Sequence, residues 1–109
     1  MLTVYIGWDS REPIAADVCR YSILEHASIP VDIVMLKQND LRKRGLYWRE
    51  VDKLASTEFT FTRFLVPELN NFEGTAIFMD SDMVLTTDIA ELISEIDPTN
   101  AVSCVKHDY

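Results

Sequence analysis

The chain has 109 residues, 48% of them hydrophobic, with a formal charge of -8 and a pI near 4.5. That length allows one domain with a real core, and that charge disfavours a nucleic-acid backbone as partner unless a basic face is strongly localised. The opening MLTVYIGWDS has no basic region followed by a long apolar core, and no later run approaches roughly 18 apolar residues, so neither a signal peptide nor a membrane span is expected and the cytoplasm is the expected compartment.

Leu2 to Trp8 is rich in β-branched and aromatic residues and ends in Gly7, Trp8 and Asp9, which predicts a first strand with a polar carboxyl end. Pro13, with Asp9, Ser10 and Glu12 before it, starts a helix running to about Ala27. Ala15, Cys19, Ile23 and Ala27 form a row along it, with Ala16 beside them, a small-residue face able to approach a sheet closely. Late in that helix, His26 favours the helix dipole. Pro30 ends the connection and Val31 to Leu36 predicts a second strand, so residues 2 to 36 make a β-α-β unit with parallel pairing.

From Lys37 to Lys53 the chain is polar and charged. Asp40 is expected to cap a short helix through Leu41 to Arg44, and the RKR run reads as a solvated face. Ser56, Thr57 and Glu58 open a further predicted helix, FTFTRFLVPEL, disturbed by Pro67 near its end. Both its faces are apolar, so Arg63 is expected to be buried and to need an anion, either a structural carboxylate or a ligand phosphate.

Thr75 to Asp82, TAIFMDSD, carries the strongest functional signal. Ala76 to Met79 is a short apolar run bounded by Gly74 and an acidic turn, the pattern of a strand buried on both faces of a sheet. Asp80 and Asp82 follow at its carboxyl end, where open α/β sheets place their ligands. Carboxylates two residues apart at a turn can converge on a hard cation such as Mg²⁺ or Mn²⁺, which in turn holds nucleotide phosphates. Asp and Ser are also ordinary turn formers whose side chains bond nearby amides. Met83 to Leu85 is expected to add a short strand. Asp88 and Glu91 form a capping pattern for a helix with Ile89, Leu92, Ile93 and Ile96 on one face, stopped by Pro98. Ala101 to Lys106 predicts a last strand. Cys19 and Cys104 lack metal-site spacing and are both expected in the core.

Taken in order, a strand ending YIGWD, the stretch FTRFLVPEL, the segment FMDSDMVL and the capped DIAEL resemble the nucleotide-binding half of a GT-A type glycosyltransferase, of the glycogenin and lipopolysaccharide galactosyltransferase-like family. The resemblance covers essentially the whole chain. It implies an α/β fold, a Rossmann-like GT-A half with a mostly parallel sheet and helices on both faces, forming residues 1–109 as one nucleotide-sugar-binding half-domain, truncated relative to the family. It implies transfer of a sugar from a nucleotide-sugar, often a UDP-sugar, with Mn²⁺ or Mg²⁺ bridging the diphosphate. Asp80 and Asp82 match the metal-binding pair, Ser81 lies near the donor ribose, Gly7, Trp8 and Asp9 match the segment holding the base, and Arg63 matches the arginine near the donor phosphate. His107, near the chain end, reads as solvated rather than as a further metal ligand.

Two other readings share the same centre. The segment DSDMV resembles motif I of haloacid-dehalogenase-like phosphatases, which would make Asp80 a nucleophile; the chain also fits a non-catalytic nucleotide-binding fragment. A late apolar strand with little after it further predicts a homo-oligomer, most simply a two-fold dimer with Ala101 to Tyr109 in the contact.

Overall fold

In a computed structural model describing residues 1–106, the chain is an α/β protein built on a three-stranded parallel sheet of order β2-β1-β3. Strand β1 (Leu2–Gly7) pairs with β2 (Val31–Leu36) on one side and β3 (Ala76–Met79) on the other. Strand alternation divides β1 between two cores. Leu2, Val4 and Ile6 face α1 (Pro13–His26) and α4 (Ile89–Ser94), with Ala16, Cys19, Ile23, Met79 and Ile89 completing that layer. Tyr5 faces the opposite layer, where α2 (Gln38–Lys43) supplies Leu41 and α3 (Val66–Leu69) supplies Val66, beside Leu36 and Tyr47. The result is the Rossmann-like arrangement expected, with helices on both faces.

Helix α1 follows the small-residue prediction: Ala16, Cys19, Ser22 and Ile23 are buried against the sheet, while Ala15 and Ala27 are half-buried at its margins. Burial pushes the Cys19 thiol pKa up, and the Asp82 charge adds to this. His26 lies in the last turn, its Nδ1 2.9 Å from the Ser22 carbonyl oxygen. Helix α2 starts earlier than predicted. Lys37 occupies the cap position without a side-chain bond, and Asp40 sits inside the first turn, where a carboxylate favours the positive helix end. Gly45, at φ 73°, ends α2 in the left-handed conformation that a residue without a Cβ adopts readily.

Five expectations fail. The stretch from Ser56 to Leu69 is not one helix: turns lead into a 3₁₀ segment, Thr62–Leu65, and then the single turn of α3 that begins just before Pro67. Strand β3 is an edge strand among the described residues, and its Ala76, Ile77 and Phe78 are half-buried; the fully enclosed strand is β1. Met83 to Leu85 and Ala101 to Lys106 form no strand, and 101–106 is exposed, so apolar residues alone did not recruit a ladder partner there. Cys104, which lies in that segment, is exposed rather than in the core. His107 and the end of the proposed dimer contact, Asp108 and Tyr109, lie outside the described residues.

The cap of α4 is as predicted. Asp88 accepts a bond from the Ala90 amide at 3.0 Å with one oxygen, and from the Ser28 amide at 3.1 Å with the other. It thereby ties α4 to the turn after α1. The helix ends at Ser94, short of Pro98, and Leu92 on its expected inner face is exposed. No helix among the described residues is long and apolar enough to cross a membrane.

Candidate functional site

Parallel pairing brings the carboxyl ends of all three strands to one edge of the sheet. Gly7 is paired with Leu36, and Ile6 with Met79, so the segments beginning at Trp8, Lys37 and Asp80 leave the sheet at neighbouring levels. This is the edge at which open α/β sheets hold ligands.

Alternation sends successive residues after β3 in different directions. Asp80 follows Phe78 toward the α2–α3 layer, where one of its oxygens lies 3.6 Å from an Arg63 guanidinium nitrogen. Arg63 lies over the Phe78 ring at 4.9 Å and the Phe59 ring at 5.8 Å, and its Nε donates to the Phe59 carbonyl at 3.3 Å. Phe59 itself closes on Gly7: a Cβ at that position would stand 2.5 Å from the ring, so no larger residue fits without displacing Phe59. Gly7, Phe59, Phe78, Arg63 and Asp80 are therefore one contact chain. Arg63 is 36% exposed rather than buried, because the broken 56–69 stretch lifts it to the rim of the sheet.

Ser81 is buried, whereas Asp82 is exposed beyond the turn, close enough to α1 for its charge to act on Cys19. Among the described residues no group of three His, Cys, Asp or Glu side chains forms a metal cage. Two carboxylates at a strand end nevertheless suit Mg²⁺ or Mn²⁺, which keep several waters and take substrate phosphate oxygens alongside one or two carboxylates. Asp80 lies against Arg63 and Asp82 near α1, so the fit to such an ion is one of donor type and not of an assembled pair.

Asp9 is committed elsewhere. Its carboxylate accepts from the Arg11 amide at 2.9 Å, from Arg11 Nε at 3.0 Å and from an Arg11 terminal nitrogen at 2.6 Å, and more weakly from the Glu58 amide at 3.4 Å. The Arg11 side-chain bonds hold its carboxyl well below the usual carboxylate range. Glu58 in turn accepts from both the amide and the hydroxyl of Ser10. Trp8 is half-buried on the α1 side, with Lys37 Nζ 4.8 Å from its ring centroid. The Gly7-Trp8-Asp9 segment is thus a fixed wall.

Behind that wall, where β1 and β2 end, lies a cleft of about 240 Å³ lined by residues that include Arg11, Gln38, Tyr47, Lys53, Glu58 and Phe61. Gln38 Nε2 donates to the Glu58 carbonyl at 3.1 Å across it. Sequence reasoning named none of these as site residues, since segment 46–58 has no periodicity and the approach of Glu58 to the end of β1 is made only by the fold.

The chain is 50% identical over 106 residues to Protein CDI of Arabidopsis thaliana, a match covering 97% of this chain and 41% of that protein. It therefore spans well under half the length of that curated relative. No family model matches, and no solved structure matches significantly. These findings overturn the assignment to the glycogenin and lipopolysaccharide galactosyltransferase-like GT-A family. The segments that suggested it are short, and an apolar strand ending in an acidic turn arises wherever a parallel strand meets a polar loop.

Proposed function

We propose that this chain binds a nucleotide-sugar, most simply a UDP-sugar, through a divalent cation held by Asp80 and Asp82, and that it serves sugar transfer as the donor-binding part of a transferase. The observation that carries this reading is the meeting of Asp80, the Arg63 guanidinium and the Gly7 turn at the carboxyl ends of adjacent parallel strands. When bound, Mn²⁺ or Mg²⁺ supplies charge neutralisation for a diphosphate leaving group. Arg63 lies where it can exchange its carboxylate partner for a phosphate oxygen, and the aromatic faces of Phe59 and Phe78 hold the guanidinium there. In this reading Ser81, buried in the turn between the two carboxylates, is the donor-ribose residue. The cleft beside Asp9, with Tyr47 and Phe61 as apolar walls and Gln38 and Glu58 as polar edges, suits a planar base. Two free thiols, one buried and one exposed, accord with a reducing cytoplasm.

Calorimetric titration with UDP tests this. Binding is expected with Mn²⁺ and is expected to be lost in EDTA, because a chain of charge -8 otherwise repels a diphosphate. Asp82→Asn should weaken only the metal-dependent part while melting cooperatively, as the residue is exposed. Equal affinity in EDTA and Mn²⁺ sinks the reading.

A further inference from the structure

Gln38 lines the cleft from the first position of α2, and both ends of its amide are bonded. One turn on, Arg42 Nε donates to Gln38 Oε1 at 3.3 Å, while Gln38 Nε2 donates to the Glu58 carbonyl oxygen at 3.1 Å. A guanidinium only donates and a carbonyl only accepts, so the reversed amide would set donor against donor and acceptor against acceptor. Arg42 is itself held, over the Tyr47 ring at 4.6 Å and by a terminal nitrogen that donates to the Arg49 carbonyl, and it is not one of the residues lining the cleft. Among the described residues the second Nε2 hydrogen of Gln38 has no acceptor. Glu58, on the same lining, accepts from Ser10 with its carboxylate and keeps further lone pairs.

We propose that Arg42 is a positioning residue for base selection: by fixing the Gln38 amide it keeps an N–H donor on the cleft, which then takes a base whose edge carries a carbonyl next to a ring N–H, as in uracil, over one whose edge carries an amino group next to a bare ring nitrogen, as in cytosine. The inference rests on the reading of the cleft as the base site of a nucleotide-sugar. The remaining Gln38 N–H meets the base carbonyl, and a Glu58 carboxylate oxygen accepts from the ring N–H. Cytosine reverses both partners, setting its amino group against the Gln38 donor and its ring nitrogen against the carboxylate. Such a mismatch leaves polar groups on both sides desolvated and unpaired, which costs more than the absence of a contact. Both bases are neutral and the cleft lining is balanced, Arg11 and Lys53 with Asp52 and Glu58, so selection falls to the pattern of donors and acceptors and not to charge.

The test is calorimetric titration of the full chain with UDP and with CDP in Mn²⁺, read as the ratio of the two affinities, because diphosphate and metal are common to both ligands. The unsubstituted chain should favour UDP about tenfold or more. Arg42→Met keeps an apolar stem over Tyr47 but frees the amide to turn, and should bring the two affinities within about twofold of each other. Gln38→Glu puts an acceptor in place of the donor while keeping Arg42 paired, and should bring the ratio to parity or below. A residue that only braced the fold would lower both affinities and leave the ratio unchanged. Should Arg42→Met fail to melt cooperatively, the Gln38→Glu ratio decides alone. Equal binding of UDP and CDP by the unsubstituted chain, or variants that keep its full preference for UDP, overturns this proposal while the donor site stands; a chain that binds neither nucleotide overturns both.

Discussion

Asp9 shows how a residue conspicuous in the sequence can be spent on architecture. Its position after β1 was legible, but its carboxylate is saturated by Arg11 and the Glu58 amide, and Arg11 also bonds the Ser56 carbonyl at 2.9 Å. The group therefore pins the 56–58 turn to the end of β1, which is what fixes Phe59 against Gly7. Because the folded carboxyl titrates below its unfolded value, the stability it contributes is complete above pH ~4 and is lost as pH falls through and below that range. Asp9→Asn should accordingly lower the denaturation midpoint at pH 7, with the gap from the unsubstituted protein closing below pH ~4. A gap that stays constant to pH 3 in urea titrations would show that the carboxylate charge is not the source.

At the scale of elements, the strands and α1 were legible because each rests on a local pattern: β-branched runs for β1 and β2, Pro13 at a first turn, and an apolar run before an acidic turn for β3. The 56–69 stretch was not, because its shape is set by what it touches. Phe59 is drawn to Gly7, Thr62 is fully buried, and Phe64 is left exposed, a sequence of demands that no continuous helix meets. One consequence is that Arg63 stands at the rim, about as exposed as its partner Asp80, and an exposed pair of this kind is worth about 1 kcal/mol or less. Under the proposed function the arginine competes with the metal for Asp80 and cooperates with it for phosphate. Arg63→Ala should therefore raise affinity for Mn²⁺ alone, by no more than about fivefold, while lowering affinity for UDP in the presence of Mn²⁺. A parallel fall in both, measured by calorimetry, would mean that Arg63 supports the fold of the site and does not contact the diphosphate.

For the molecule as a whole, net charge gave only part of the picture. Residues 37–53 hold six of the ten basic side chains and three of the eighteen acidic ones. Several of those cations are seated on aromatic faces: Lys37 on Trp8, Arg42 on Tyr47 and Arg49 on Phe61. An acidic chain thus gathers most of its cations in one segment, which composition could not reveal because it averages over the surface, while the cleft itself is lined by balanced charges, Arg11 and Lys53 with Asp52 and Glu58. The sheet has its own gradient. Strand β1 pairs along both edges and is covered on both faces, with Val4 and Ile6 fully buried, whereas β3 has no outer partner among the described residues. Local opening is governed by such enclosure, so amides of β1 should exchange with solvent only on global unfolding and those of β3 through cheaper local opening. Adding Mn²⁺ and UDP should then slow exchange at Met79 to Asp82 and around Gly7 more than in the first half of β2, since the ligand would bridge the ends of β1 and β3. Protection rising uniformly over all three strands would point to general stabilisation, and protection rising in β2 alone would place the ligand away from Asp80.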